Sequence, residues 1–152
     1  MATKVVTLNT TITYQEIIGF EVVEYANVNL DNAIVSISTD SRIEPNNNFE
    51  LFVAIKGEQF DAHHFIGESL NAGYNAFVVS DKRVFEELSQ KNKVVILVRN
   101  TLRFIQNLAK LHRLQFDIPV IGITGSNGKT ICKEWLYELL KDDYRVHRSP
   151  KS

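Results

Sequence analysis

A glycine-rich stretch towards the end of the sequence carries the residue types that bind phosphate groups. Its glycines let neighbouring backbone N–H groups turn towards phosphate oxygens, and its lysine places a positive charge beside them. The threonine directly after that lysine is placed to bind Mg²⁺ through its hydroxyl. The stretch therefore predicts a site for a nucleotide phosphate. It reads Gly122-Ile123-Thr124-Gly125-Ser126-Asn127-Gly128-Lys129-Thr130.

The spacing of this stretch departs from the general phosphate-loop pattern. In G-x-x-x-x-G-K-[ST] a glycine would occupy position 123, but the chain has Ile123 there and a glycine one residue earlier. The alternative interpretation is a glycine-rich turn that leaves Lys129 merely solvated. The apolar segment 118–124 before the turn and the helical pattern 129–141 after it favour the phosphate loop, because such a loop joins a strand to a helix N-terminus.

The elements that would position this loop alternate between strands and helices. Apolar runs or apolar–polar alternation predict strands at 34–38, 51–55, 76–79, 94–98 and 118–124, and the start of another at 144–147. Capping residues and helical spacing predict a short helix after Thr13 and longer ones at 61–72, 82–90, 101–115 and 129–141. This alternation is typical of an α/β chain with a largely parallel sheet. We place a domain boundary after residue 100, giving segments 1–100 and 101–152, with 115–119 as the other candidate.

Composition excludes several classes of protein. Hydrophobic residues make up 44% of the chain and charged residues 23%, with a net charge of -1, so we expect a packed core and no nucleic-acid partner. No apolar run approaches the ~20 residues of a membrane span, and the N-terminus lacks signal-peptide features, which predicts no membrane partner and a cytoplasmic protein. The single cysteine, Cys132, allows no intrachain disulfide, and we expect it to pack in a helix.

Two regions carry a resemblance to one family. The Thr-Gly-x-x-Gly-Lys form of the loop resembles the ATP loop of the Mur ligases, although folylpolyglutamate synthases have a similar loop. Thr39-Asp40-Ser41-Arg42 and the segment 51–63, which contains Lys-Gly-Glu-Gln-Phe-Asp-Ala-His, resemble the N-terminal domain of the Mur ligases that add the third residue or the terminal dipeptide. The sequence Lys-Gly-Glu-Gln-Phe-Asp-Ala-His is closer to that of the members that add D-alanyl-D-alanine. The chain departs from the family at 45–50, where we infer a surface-loop insertion.

The resemblance implies an α/β fold in two parts. A Mur-ligase N-terminal UDP-binding domain at 1–100 would be followed, at 101–152, by the first strand–P-loop–helix unit of a Rossmann-like ATPase domain. The candidate ATP-binding residues are Thr124, Gly125, Ser126, Asn127, Gly128, Lys129 and Thr130. Lys129 and Thr130 are also the candidate catalytic residues, and Thr130 is the candidate Mg²⁺ ligand. The candidate UDP-binding residues are Thr39, Ser41, Arg42, Glu58, Gln59 and Phe60.

From the residues alone, simpler roles compete with several of these assignments. Ser41 could be a turn residue, Phe60 a core aromatic, and Arg42 a partner of Asp40. His63 and His64 open a predicted helix, where we expect them to cap it or face solvent rather than bind metal.

The resemblance also implies a reaction. ATP, with Mg²⁺, would phosphorylate the terminal carboxylate of UDP-N-acetylmuramoyl-tripeptide, and the amine of D-alanyl-D-alanine would displace phosphate to form an amide. The remaining Mg²⁺ ligands and the domain for the incoming amine would lie beyond residue 152, so we expect part of a longer ligase, inactive alone. The alternatives are the third-residue ligase, a non-catalytic UDP-sugar-binding module, and an unrelated P-loop NTPase.

One helix face predicts a further partner. Ile131, Trp135 and Leu139 lie along one line of the predicted helix 129–141, beside Cys132, Leu136 and Leu140. If the sheet that such a stripe normally covers is missing, the stripe would be exposed, and exposed apolar patches mark interaction surfaces. We therefore expect this face to dock elsewhere on the chain or to pair with a second copy.

Overall fold

The chain divides into two compact units, Met1–Phe116 and Asp117–Ser152, and the computed structural model describes residues 5–47 and 50–150. The first unit contains the following elements in chain order: β1 (Val5–Thr13), α1 (Tyr14–Ile17), β2 (Val22–Ala26), β3 (Ala33–Ser38), β4 (Glu50–Val53), a 3-10 turn (Ala62–Phe65), α2 (Ile66–Asn71), β5 (Ala76–Val79), α3 (Lys82–Gln90), β6 (Val94–Val98) and α4 (Thr101–Leu114). The second unit contains α5 (Lys129–Leu140).

The strands of the first unit form one sheet in the order β1-β3-β4-β5-β6-β2. The four central strands, β3 to β6, run parallel to one another, whereas the edge strands β1 and β2 are antiparallel to β3 and β6. Parallel neighbours need a crossover connection, and α2 and α3 lie in two of them. The predicted α/β class with a largely parallel sheet is confirmed.

Both faces of the sheet are covered by apolar side chains. Leu51 and Val53 belong to one buried cluster and Phe52 to the other, because successive side chains of a strand point to opposite faces. Helix α4 contributes to the first cluster and helices α2 and α3 to the second. Burial on both faces explains why these strands read in the sequence as continuous apolar runs rather than as alternating ones.

Two strands of this sheet were not predicted from the sequence. The register of β1 with β3 shifts between Thr7 and Ile12, and that of β2 with β6 shifts between Val22 and Glu24. Such irregularities interrupt the regular alternation that identifies a strand. Both are edge strands, and β2 pairs with a strand that lies far along the chain. Their formation therefore depends on contacts that a local pattern does not contain.

In the second unit the predicted helix is confirmed but the two predicted strands are wrong. Residues 118–124 and 144–147 are not in strands, and Val120 and Ile121 are 68% and 64% exposed. A strand requires a neighbour for its N–H and C=O groups. No described residue of this unit belongs to any strand, so the apolar segment before the loop has no ladder to join here.

Helix α4 packs with the first unit. Its side chains Phe104 and Leu108 are 0% and 1% exposed and lie in the same cluster as Ile12. The helix begins at an Asn100 cap, whose side-chain oxygen accepts from the Arg103 N–H at 2.9 Å. The boundary between the two compact units thus falls in the sequence after Phe116, within the other candidate boundary, 115–119. The functional boundary placed after residue 100 stays a prediction.

Candidate functional site

In the first unit the segments that resemble a uridine pocket lie at one edge of the sheet. Thr39–Arg42 follow β3, Lys56–Phe60 follow β4 within a few residues, Ser80 follows β5, and Arg99–Thr101 follow β6. Because β3 to β6 are parallel, their carboxyl ends meet at the same edge. Ligands of open parallel sheets bind outside the carboxyl ends of the strands. The fold therefore brings all six candidate UDP-binding residues to the edge where a ligand would bind.

The segment after β3 is ordered by side-chain hydrogen bonds. Arg42 donates from both Nε and a terminal nitrogen to the two oxygens of Asp40, each at 2.9 Å. Ser41 donates from Oγ to Glu68 Oε2 at 3.0 Å, which ties the segment to α2. Thr39 is half-buried. The pairing of Arg42 with Asp40 agrees with the simpler role considered for that residue, and the hydrogen bond to Asp40 raises the pKa of Arg42.

The segment after β4 forms a short closed loop. Lys56 and Asp61 pair through an antiparallel bridge, and the Gly57 N–H donates to the Phe60 carbonyl at 2.8 Å. Glu58 and Gln59 at its tip are exposed. Phe60 is 56% exposed and stacks on Phe65, with ring centroids 5.7 Å apart. The core-aromatic interpretation of Phe60 is therefore wrong, and its ring is available to a ligand.

Two buried side chains hold the base of this loop, and sequence reasoning missed both. His63 is 7% exposed; its Nε2 accepts from the Ser80 N–H at 2.9 Å, and its Nδ1 lies 2.5 Å from Asp61 Oδ1. The Thr101 hydroxyl accepts from the Lys56 N–H at 3.2 Å. We expected His63 and His64 to cap the helix or to face solvent. His63 does neither, whereas His64 is exposed.

Asp61 lies at the centre of these contacts. Burial alone would raise the pKa of its carboxyl, but the hydrogen bonds from the His63 N–H and the His63 ring outweigh burial and lower it to about 2. Lys56 Nζ lies 3.3 Å from the second oxygen. The carboxylate form of Asp61 is therefore the form that the loop requires.

A buried carboxylate secures the other end of β4. Glu50 is 1% exposed and accepts from Ser36 Oγ at 3.0 Å, from the Tyr74 hydroxyl at 3.2 Å, and from Asn46 at 3.1 Å through N–H and 3.0 Å through Nδ2. Burial, and then the neighbouring Glu50 charge, raise the pKa of Tyr74 to about 12, so the phenol keeps its proton and stays a donor. Asn46, in the segment before β4, is thus tied to the core.

In the second unit the loop before α5 has the backbone that a phosphate site requires. Gly125 and Gly128 have φ values of +150° and +77°, which side-chain-bearing residues rarely adopt. Gly128 is the N-cap of α5 and makes no side-chain cap bond, and Lys129 donates from Nζ to the Gly125 carbonyl at 2.5 Å. A positive charge therefore lies over the loop beside a helix N-terminus, an arrangement that suits a phosphate.

The candidate metal ligand is a partial fit. Thr130 is exposed at the start of α5 and would offer one hydroxyl oxygen. The described residues contain no group of three or more His, Cys, Asp or Glu side chains that could hold a metal. Mg²⁺ prefers six oxygen ligands and keeps waters and phosphate oxygens among them. Thr130 could thus supply one ligand of a nucleotide-bound Mg²⁺ but not a site of its own.

The apolar line of α5 is exposed. Ile131, Trp135 and Leu139 are 56%, 68% and 74% exposed. Cys132 is also exposed, so the expectation that it packs in the helix is wrong. None of the described helices has the length and apolar character needed to cross a membrane.

Comparisons with known proteins find relatives among ligases. No family model matches the chain. It is 38% identical over 126 residues to the UDP-N-acetylmuramoyl-tripeptide–D-alanyl-D-alanine ligase of Bacillus subtilis, covering 82% of the chain and 26% of that protein. It is 41% identical over 123 residues to the ligase of the same name from Synechocystis, covering 81% of the chain and 26% of that protein.

A solved structure shows the same relation. The MurF ligase of Thermotoga maritima, in complex with ADP, matches with a TM-score of 0.59 and 34% identity, over 75% of this chain and 25% of that one. The chain belongs to the Mur ligase family. Within the family it matches the N-terminal part of the D-alanyl-D-alanine-adding ligases, and it spans about a quarter of their length.

Proposed function

We propose that this chain is the substrate- and nucleotide-binding part of a ligase of peptidoglycan precursor synthesis, which adds D-alanyl-D-alanine to UDP-N-acetylmuramoyl-tripeptide. The observation that carries the proposal is that one member of the family contains both candidate sites. Segments that resemble a uridine pocket lie at the carboxyl edge of a parallel sheet, and a loop suited to phosphate precedes α5. A cytoplasmic location is part of this proposal.

The first unit would bind the UDP portion. Uracil needs a few hydrogen bonds and an aromatic or apolar wall. Ser41, Glu58 and Gln59 offer the polar groups, and the exposed ring of Phe60 offers the wall. Arg42 uses only part of its five N–H donors on Asp40, and its side chain is 71% exposed, so the remaining donors can reach a phosphate.

The second unit would hold the phosphates of ATP. Backbone N–H groups between Thr124 and Gly128, with those at the N-terminus of α5, would donate to the phosphate oxygens, and the Lys129 ammonium would move from the Gly125 carbonyl to them. Thr130 would add one oxygen to the Mg²⁺ shell. ATP supplies the phosphoryl group that turns the tripeptide carboxylate into an acyl phosphate, from which the incoming amine displaces phosphate.

We further propose that the chain alone does not form the amide. Holding phosphates is only one requirement, because rate comes from positioning both reactants around the transferred group. The described residues supply one hydroxyl for Mg²⁺ and contain no metal-binding cluster. Purified chain should therefore turn over ATP at the background rate, and turnover that survives Lys129→Ala would contradict both this proposal and the assignment of the loop.

Binding experiments separate this function from its alternatives. We expect UDP, at millimolar concentration, to shift backbone amide resonances near Ser41 and Phe60, and ADP to shift those of 124–130. UDP binding without ADP binding would indicate a non-catalytic UDP-sugar-binding module, and ADP binding alone an unrelated P-loop NTPase. The third-residue ligase is distinguished by the nucleotide-linked peptide that the full-length protein consumes.

A further inference from the structure

The loop Lys56–Asp61 carries the aromatic wall of the proposed uridine pocket, but its own backbone has few partners. Its internal contacts are the Lys56–Asp61 bridge and the bond between Gly57 and Phe60. Loop tips of this size move unless a rigid element holds them. Phe60 itself stacks on Phe65, with ring centroids 5.7 Å apart, so the position of the loop backbone that carries it depends on contacts at the base of the loop.

His63 joins that base to the sheet. Backbone N–H groups only donate, so the Ser80 N–H at 2.9 Å requires His63 Nε2 to be an unprotonated acceptor. The ring proton then lies on Nδ1 and is donated to Asp61 Oδ1. Asp61 in turn accepts from the His63 N–H at 3.0 Å and contacts Lys56. A neutral imidazole in one tautomer thus links the carboxyl end of β5 to the closing residue of the loop.

We propose that His63 is a positioning residue for nucleotide binding: by bridging Ser80 and Asp61 it holds the Lys56–Asp61 loop so that Phe60 and Gln59 face the uracil of a UDP-linked substrate. This rests on the proposed function of the first unit. The side chain of His63 is 4% exposed, so it does not touch the ligand itself. Its effect passes through the loop, while the Thr101 hydroxyl fixes the opposite end at Lys56.

Two variants of similar size divide the bridge into its halves. In His63→Gln the amide reaches the position of Nε2, so it can still accept from Ser80 but loses Asp61. In His63→Asn the amide reaches only the position of Nδ1, so it keeps the hydrogen bond to Asp61 and loses the one from the Ser80 N–H at the end of β5. Because the link to the sheet sets the loop, we expect His63→Asn to weaken UDP binding about 3- to 10-fold, the effect of one hydrogen bond, and His63→Gln to retain most of it.

The measurement is an amide-shift titration of the whole chain with UDP, with thermal unfolding of each variant beside it. Ser69→Ala removes another buried hydroxyl, which donates to the Ile66 carbonyl at 2.9 Å, and serves as a control that alters stability without touching the loop. Wild-type affinity in both His63 variants would overturn the positioning role alone. Equal losses of UDP affinity in the two variants, in proportion to their loss of thermal stability, would also overturn it, because they would show that His63 acts only on the stability of the fold. Failure of the wild-type chain to bind UDP would overturn the proposed function as well.

A measurement on the wild-type chain covers the case in which His63→Asn does not fold. If UDP binds the positioned loop, binding must stabilise the bridge by the same coupling. Hydrogen exchange at the Ser80 amide should then slow on adding UDP, together with exchange at Phe60. Slower exchange at Phe60 with unchanged exchange at Ser80 would show that the bridge and the ligand site are independent, and would overturn the proposal.

Discussion

The loop after β4 and the loop before α5 are both candidate ligand loops, but they are held in different ways. The first is closed by its own bridge and fixed through His63 and Thr101 to elements distant in sequence. The second depends on residues within it: two glycines with positive φ and a lysine that folds back onto Gly125. One geometry comes from tertiary packing and the other from local sequence.

The two loops therefore recognise their ligands in different ways, one through geometry and the other through charge. The phosphate loop needs only glycines, a helix end and one cation, because phosphate is small, highly charged and surrounded by acceptor oxygens. A uracil carries little charge, so its recognition depends on where a few hydrogen bonds and one ring are placed. Substitution in the first loop should therefore act through geometry, and in the second through charge.

The largest effect is expected from removing that charge. Lys129→Ala in a full-length ligase containing this chain should lower the rate of amide formation by at least about 100- to 1,000-fold, as loss of a charge-stabilising group does. Lys141→Ala removes the same charge from the far end of the helix, where Lys141 contacts Glu138, and should leave the rate unchanged. Phosphate release in a coupled assay measures both. Equal rates for wild type and Lys129→Ala would show that the loop before α5 does not act through the charge of Lys129.

The next effect concerns the packing on which the first loop depends. Phe104→Ala empties a fully buried position of α4 and should destabilise the first unit by about 3–5 kcal/mol. Leu102→Ala on the same helix, where the side chain is 46% exposed, should cost about 0.5 kcal/mol or less. Urea unfolding followed through amide resonances of β4 and β5 gives both values. Similar costs for the two variants would mean that α4 does not pack on this sheet.

A smaller effect comes from the carboxylate at the base of the first loop. Because folding lowers the pKa of Asp61 from 3.8 to about 2, its ionised form contributes stability above about pH 4, which is lost as pH falls through about 2. Asp61→Asn should therefore cost about 1–2 kcal/mol at pH 7, with the gap to wild type closing under acid. Urea unfolding across pH 2–7 checks this, with the exposed Asp31→Asn as the control. A gap that stays constant down to pH 2 would contradict the assignment.

The smallest expected signal is spectroscopic. The apolar line of α5 is exposed, and we expect copies of the chain to associate through it at high concentration. Trp135 is the single tryptophan, so its emission maximum should move to shorter wavelength as concentration rises, while light scattering reports a larger mass. Leu139→Lys, on the same apolar line, should abolish both changes while leaving the tryptophan in place. A monomer with water-exposed emission at every concentration would leave this face without a partner.

The sequence predicted what is local and missed what is distant. The helix after the glycine-rich loop could be identified from Gly128 and the apolar spacing that follows, and the central strands from their buried apolar runs. The role of His63 could not, because its partner Ser80 lies in another element and nothing in the sequence joins them. The strand expected at 118–124 failed for the converse reason: its pattern is right, but a strand exists only beside another.

The carboxylate of Glu50 has a consequence for how this domain can change over evolution. The loop before β4 contributes two of the donors to that buried carboxylate through Asn46, while Ser36 of β3 and Tyr74, two residues before β5, contribute one each. Shortening the loop would withdraw two donors and leave a buried charge under-solvated, which is strongly unfavourable. Lineages that keep the longer loop should therefore keep Glu50, and those with a shorter turn should carry a neutral residue there. Loop length and the side chain at position 50 are thus expected to covary.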